Sequence, residues 1–482
     1  MMQPDAIARA LMNDDSRLLR ELAELRDHSQ DCPADENQIH VDASGQNRED
    51  RLDAASGAPP WPEPLDEAAY FGLAGEVVHT IEPETEADPV AVLIHFLLGM
   101  GNLWGRRPHF RVGGTNHYTN ENAICVGRTS SARKGTAKAD TFTLFSHVDP
   151  MWCENCVMPG LSSGEGLIYS VRDASEKGEK STPGKKSKSQ PVIDAGVADK
   201  RLLVIEPEFA SVLRVARRDG NTLSTAFRQA WESGYLRVMN KNSPVKATGA
   251  HISIIGHITR DELLMELANN DKVNGFGNRN LWLLVRRSKL LPDGGDWRNL
   301  DLQPLIARLK EVVRFAGTVS EMHRDLEAKA MWHEVYPQLT AEREGLSGSL
   351  TSRADPHVLR LSSIYALLDL SDVVRRPHLE AALALWKYCE DSTAIIFGDA
   401  TGNPVADQIL KALRQSSLGA TRTELRELFS GHRSSEEIGA ALVILERLKL
   451  AKSEMQNTGG RPTERWFSIS MSTRRPSRGA TR

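Results

Sequence analysis

Cysteine is scarce in this chain, with five among 482 residues, at positions 32, 125, 153, 156 and 389. Spread so thinly, they do not make the disulfide framework of a secreted protein and fit a reducing compartment, so the cytoplasm is the expected location. Cys153-x-x-Cys156 has the spacing of a redox or zinc pair, yet no second Cys or Cys/His pair stands at zinc-ligand spacing, and metal is not expected there. Long apolar runs are missing too. The longest, near residues 90–100, is too short and too interrupted to span a bilayer, and residues 1–26 lack the apolar stretch of a signal peptide, so neither membrane insertion nor export is expected. Nor does charge of one sign dominate. A formal net charge of -4 excludes whole-surface attraction to a polyanion, so any such contact must come from local basic patches.

What is present is the composition of a globular protein, 40% hydrophobic and 26% charged. The length suggests about three domains. Residues 1–60 read as a short amphipathic helix followed by a polar, acidic linker that buries too little apolar surface to order itself. Residues 61–115 show helical spacing, through Phe71, Leu73, Val77, Val78 and Ile81 and then Val90, Val92, Leu93, Phe96 and Leu97. A strand at residues 110–113 leads into residues 116–300, the expected α/β core. A lysine-rich run at residues 175–192 interrupts that core, either as a solvated insertion or as an arm for a nucleic-acid backbone. Beyond Pro304 the pattern is almost wholly helical to residue 398. Residues 399–470 read as three helices and a two-stranded ribbon with a Gly-Gly-Arg-Pro tip, a winged helix, and residues 471–482 as a basic tail.

The densest chemistry lies in Asn122-Ala-Ile-Cys-Val-Gly-Arg-Thr-Ser-Ser-Ala-Arg-Lys-Gly-Thr136, an apolar strand, a loop of small residues, then a lysine and a hydroxyl opening a helix. That is the order of parts in a phosphate-binding loop, where backbone N–H groups and a helix N-terminus face a phosphate, lysine adds charge and a hydroxyl holds Mg²⁺. The expected ligand is ATP with Mg²⁺, cradled by Gly127, Ser130, Ser131, Arg133, Lys134, Gly135 and Thr136. The pattern G-x-x-x-x-G-K-[ST] started at Gly127 puts Ala132 at the second glycine and Arg133 at the lysine. One extra residue restores Lys134, with Gly135 in the hydroxyl's place and Thr136 behind it. The alternative is a basic strand-to-helix turn.

Three further apolar runs read as buried parallel strands. Arg201-Leu-Leu-Val-Ile-Glu-Pro-Glu-Phe209 presents Glu206 and Glu208 at its carboxyl end, where open α/β sheets place ligands. His251-Ile-Ser-Ile-Ile-Gly-His-Ile258 and Leu281-Trp-Leu-Leu-Val285 follow. Strand, loop and helix, then an acid-tipped strand, then a polar-tipped strand, is the serial plan of a P-loop NTPase sheet. In the C-terminal piece Arg422, Arg426, Arg433 and Arg465, with Arg461 at the wing tip, supply charge for DNA, diluted by Glu424, Glu427, Glu436 and Glu437.

Several of these segments, with Trp61-Pro-Glu-Pro-Leu65, Gly164-Glu-Gly-Leu-Ile168, Gly220-Asn-Thr-Leu-Ser224, Gly256-His-Ile-Thr259 and Asn274-Gly-Phe-Gly-Asn-Arg279, resemble the YfjI-like family of uncharacterised domains on prophages, plasmids and integrated elements. The resemblance runs over residues 61–399. It implies a RecA-like P-loop core similar to the helicase halves of primase–helicases, and no defined activity. By role, Lys134 would contact the β/γ phosphates, Thr136 and Glu206 would hold the metal, and Glu206 or Glu208 would order the attacking water. His257 or Thr259 would sense the γ-phosphate, and Arg279 would serve as an arginine finger across a subunit boundary. Related loops carry glycine before the lysine and Ser/Thr after it, where this chain has Arg133 and Gly135.

Against these roles stand a surface cation for Lys134, a helix-start acid for Glu208, a core histidine for His257 and a structural ion pair for Arg279. The leading expectation is an ATP-dependent protein acting on DNA, resembling replicative helicases of mobile elements, a homo-oligomeric ring served by a separate primase. A DNA-binding regulator with a degenerate nucleotide site, and a phage-defence ATPase, are the alternatives.

Overall fold

Apolar runs without a polar face need cover on both sides, and in the computed structural model they form the middle of a five-stranded sheet. The structure describes residues 61–128, 132–177, 192–238, 245–267, 273–343, 345–398, 401, 403–416, 418–430, 432–456 and 462–469. Packing divides the chain into two units, Met1–Pro60 and Trp61–Arg482, and the first lies outside the described residues, as do the loop residues Ser130 and Ser131, the wing-tip Arg461 and residues 178–191 of the lysine-rich run.

The strands of the main sheet are β1 (Asn122–Gly127), β2 (Val157–Met158), β3 (Arg201–Glu206), β4 (His251–Thr259) and β5 (Leu281–Leu284). Every pairing is parallel, in the order β5-β1-β4-β3-β2. The fold is therefore mixed α/β with a parallel central sheet. In register, Gly127 lies opposite Thr259, Cys125 opposite His257 and Glu206 opposite Gly256, which aligns the carboxyl ends of β1, β3 and β4.

Alternate residues serve two cores. Ala123, Cys125, Leu203 and Ile205 face one, with Leu144 and Phe145 of the Lys134–Val148 helix. Ile124, Val126, Leu202 and Val204 face the other, with the helices Phe209–Arg217 and Leu223–Glu232. The chain leaves β1 in one direction across the sheet and leaves β3 in the other, and right-handed crossovers running in opposite directions cover opposite faces. Gly256 is the tight point of the second core. A Cβ there would stand 2.5 Å from Cδ2 of Phe209 and 2.8 Å from Cδ1 of Ile124.

The first core continues through helices far apart in sequence. Fourteen of the fifteen residues of Pro89–Leu103 are buried, so this helix is enclosed all round and not amphipathic. Its Asn102 is satisfied by Leu202 O at 2.9 Å, His251 O at 3.1 Å and the indole N–H of Trp152 at 3.0 Å. Ala354–Leu368 and Arg376–Phe397 complete this face. At the amino end of the sheet Glu121, fully buried, accepts from Nδ1 of His357 at 2.6 Å and lies 3.5 Å from Nε of Arg360. Among the described residues no helix is long and apolar enough to cross a membrane.

The stretch expected to be helical beyond Pro304 holds a strand. Residues Glu321–Arg324 pair in parallel with His109–Val112 and with Val373–Val374, while Thr115–Tyr118 closes a four-stranded sheet. Four residues in which only Met322 is fully buried carry too little period-two signal to be read among helices. Past residue 403, the helices Pro404–Gln415, Arg422–Glu427 and Ser435–Arg447 enclose a core of their own with Trp466. Two of these helices start on capping boxes, Thr421 with Glu424 and Ser434 with Glu437. The ribbon Ala451–Gln456 with Thr463–Ser468 gains a third short strand, Ala420–Thr421, beyond the two expected.

Candidate nucleotide site

The carboxyl end of β1 is anchored from its beginning. The Asn122 amide donates to Arg279 O at 3.1 Å and accepts from Ile254 N at 2.9 Å, tying β1 to β4 and to the segment before β5. Six consecutive buried residues then deliver the chain to Gly127. The loop closes at Arg133, whose φ of +51° lies in the left-handed region that disfavours a side chain, and Lys134 begins a fifteen-residue helix. Arg133 is held there by Glu86, whose carboxylate lies 2.6 Å from its Nε and also accepts from Leu291 N at 2.9 Å. Lys134 is 8% exposed. Burial holds its ammonium below the ordinary lysine value, opposed by the pull of Cys125 and Glu262.

Glu262 had no place among the sequence candidates. It reaches back to Thr259 at the tip of β4, accepting from Oγ1 at 2.7 Å, and these hydrogen bonds hold its carboxyl below the usual range. Thr259-x-x-Glu262 is a capping-box spacing, and that signal was open to sequence reading. What the sequence did not show is that the pair lies near Lys134.

Glu206 ends β3 at the same edge, 6% exposed, and its Oε1 accepts from Gly160 N at 2.7 Å and from Leu161 N. One carboxylate oxygen is thus committed to the loop after β2. Glu208 is exposed and precedes the Phe209–Arg217 helix without a side-chain cap. Thr136 is half-buried in the first turn after the loop, and Gly135 beside it is exposed.

His257 does not point into solvent above the sheet. It is 3% exposed, and its Nε2 lies 2.9 Å from Nε2 of His95. Burial, then His95 and Lys134, push its pKa well below the ordinary histidine value, so it is a neutral group under the loop. Arg279 lies just before β5, at the amino end of the sheet, away from the edge that carries Lys134. Its guanidinium engages Glu232, Gly275 O and Asn278 Oδ1. Lys134, Thr136, Glu206 and Thr259 therefore share one edge, and Arg279 does not join them within a chain.

In the C-terminal piece Arg422, Arg433 and Arg465 are partnered by acids. Nε of Arg422 lies 2.5 Å from Glu464, and Arg465 lies 3.5 Å from Glu424 and donates to Leu418 O at 3.1 Å. No protein-family model and no curated protein matches this chain.

Proposed function

We propose that the chain binds ATP·Mg²⁺ at the carboxyl edge of its parallel sheet and uses it to act on DNA, as a RecA-like P-loop protein of the YfjI-like kind. The observation that carries this reading is the strand order. β1, whose loop opens the Lys134 helix, and β3, which ends in Glu206, flank β4, and their connections cover opposite faces. Ligands of open parallel sheets sit beyond the carboxyl ends at such a switch point. Phosphates there would meet the backbone of residues 127–136, the helix N-terminus and Lys134. The nearby oxygens, a Thr136 hydroxyl and the Glu206 carboxylate, suit a hard ion such as Mg²⁺. The remaining oxygen of Glu206, or the exposed Glu208, would orient water at the γ-phosphate.

Arg279 stands at the opposite end of the sheet, which suits a role on a neighbouring subunit's nucleotide and not on its own, as in a ring. Its ion pair with Glu232 would open on assembly. The C-terminal three-helix piece with its ribbon fits a winged helix for DNA or a partner protein.

A second reading, a nucleotide-gated switch with slow turnover, draws on two observations. Arg133 occupies a left-handed position where related loops carry glycine, and Glu206 is already engaged by two backbone N–H groups. Lys134→Ala should weaken binding of a labelled ATP analogue at least roughly tenfold, about 1.4 kcal/mol. Equal affinity in variant and parent would refute the phosphate-loop reading. ATP turnover stimulated by single-stranded DNA supports the motor, while tight binding with no stimulated turnover supports the switch.

A further inference from the structure

Under the Lys134 loop three side chains from three elements converge: His95 from the Pro89–Leu103 helix, Cys125 from β1 and His257 from β4. Their ligating atoms all lie within 4.8 Å of one another, and His95 and Cys125 are fully buried. Sequence spacing could not reveal the group, since its members are 30 and 132 residues apart and meet only through the register of Cys125 with His257.

The hydrogen bonds define the lone pairs. Nδ1 of His95 lies 2.7 Å from Ala91 O, which can only accept, so the proton is on Nδ1 and Nε2 is a bare acceptor. That arrangement, one ring nitrogen fixed on a carbonyl and the other left open, is how metal-ligating histidines are oriented. The open nitrogen faces Nε2 of His257 at 2.9 Å, and the Nε2 proton of His257 fills the gap between them.

We propose that His95, Cys125 and His257 form a buried site for a thiophilic d¹⁰ metal ion, Cu⁺ in preference to Zn²⁺. One thiolate and two imidazoles exclude hard cations such as Mg²⁺ and Ca²⁺. Charge selects between the soft candidates. Cu⁺ with one thiolate is neutral, as an apolar core requires, whereas Zn²⁺ leaves a net positive charge in the field of Lys134 and Lys138, set against Asp88. Zn²⁺ also takes four ligands where three converge. The protons balance simply. The metal–sulfur bond replaces S–H and releases one proton, while the His257 proton moves from Nε2 to Nδ1 as that nitrogen binds the metal.

The test uses the full chain, freed of metal under reducing conditions and titrated with Cu⁺ against a chromogenic Cu⁺ chelator, and with Zn²⁺ against a zinc chelator. Cys153 and Cys156 form the competing thiol pair, so Cys153→Ser/Cys156→Ser is the control. One Cu⁺ should bind the parent and the control alike, with about one proton released, and at least tenfold more weakly in Cys125→Ser and His257→Asn. X-ray absorption of the loaded parent, which needs no variant to fold, should show one sulfur and two nitrogen neighbours. No binding by the folded parent, undiminished binding in Cys125→Ser, loss of binding in the control, or a sulfur-free copper environment each overturns the site. Tighter binding of Zn²⁺ than of Cu⁺ overturns the charge argument.

Discussion

Acid should unfold this protein through its buried histidines. Burial lowers His95 to about 4 and His251 to about 3, against an ordinary value near 6.5. A depressed histidine contributes stability that is present above the unfolded value and lost as pH falls toward the folded one. Between pH 7 and pH 4.5 each of these two groups then costs about 2.5 kcal/mol, together about 5 kcal/mol. His257 acts in the same direction. Asp88 opposes them. Its carboxyl, enclosed at the start of the Pro89–Leu103 helix, is raised to about 6, so its burial cost is relieved as it protonates, returning about 2 kcal/mol over the same interval. For His95, His251 and Asp88 alone the net loss is about 3 kcal/mol, a sizeable part of a typical folding free energy of roughly 5–15 kcal/mol, and His117, also lowered to about 4, adds to it.

The assay is urea unfolding at stepped pH, compared with His251→Gln. Nε2 of His251 lies 2.9 Å from Gly101 O, and Gln keeps a donor for that carbonyl while removing the titration. The difference in stability between pH 7 and pH 4.5 should shrink by about 2.5 kcal/mol in the variant, whatever its stability at pH 7. A parent equally stable at both pH values, or a variant with an unchanged difference, would refute the reasoning.

Gly256→Ala should lower stability by about 1–3 kcal/mol in the same assay, because the new methyl collides with Phe209 and Ile124, and an unaltered midpoint would mean that the helix start yields freely. Arg360→Met should cost about 3–5 kcal/mol by removing the cation beside the buried Glu121, which then keeps only its contact with His357, and Glu121→Gln in the same chain should restore part of it; no restoration would show that Arg360 acts through its bonds to Asn120 O and Trp231 O instead. Truncation after Gly398 should reduce DNA affinity and flatten its dependence on salt if the C-terminal piece makes the phosphate contacts, and an unchanged slope would move those contacts to the α/β core.

The sequence by itself determined the elements of the sheet. Unbroken apolar runs such as Leu202–Val204–Ile205 and Ala123–Val126 can be satisfied only between two covered faces, and the loop, the acids and the caps follow directly in the chain. What only the tertiary structure decided is which of these meet. Strand order sets Lys134, Glu206 and Thr259 beside one another along one edge, because that order depends on crossover direction, which no local pattern encodes, and parallel pairing leaves Arg279, just before β5, at the other end. The short strand Glu321–Arg324 exists through its partners and not through its own residues. The neighbours of Lys134 also come from afar, Glu86 restraining Arg133 from another segment and the pair His95 and His257 lying beneath. Local composition sets what each segment can become, and long-range burial sets the company its side chains keep.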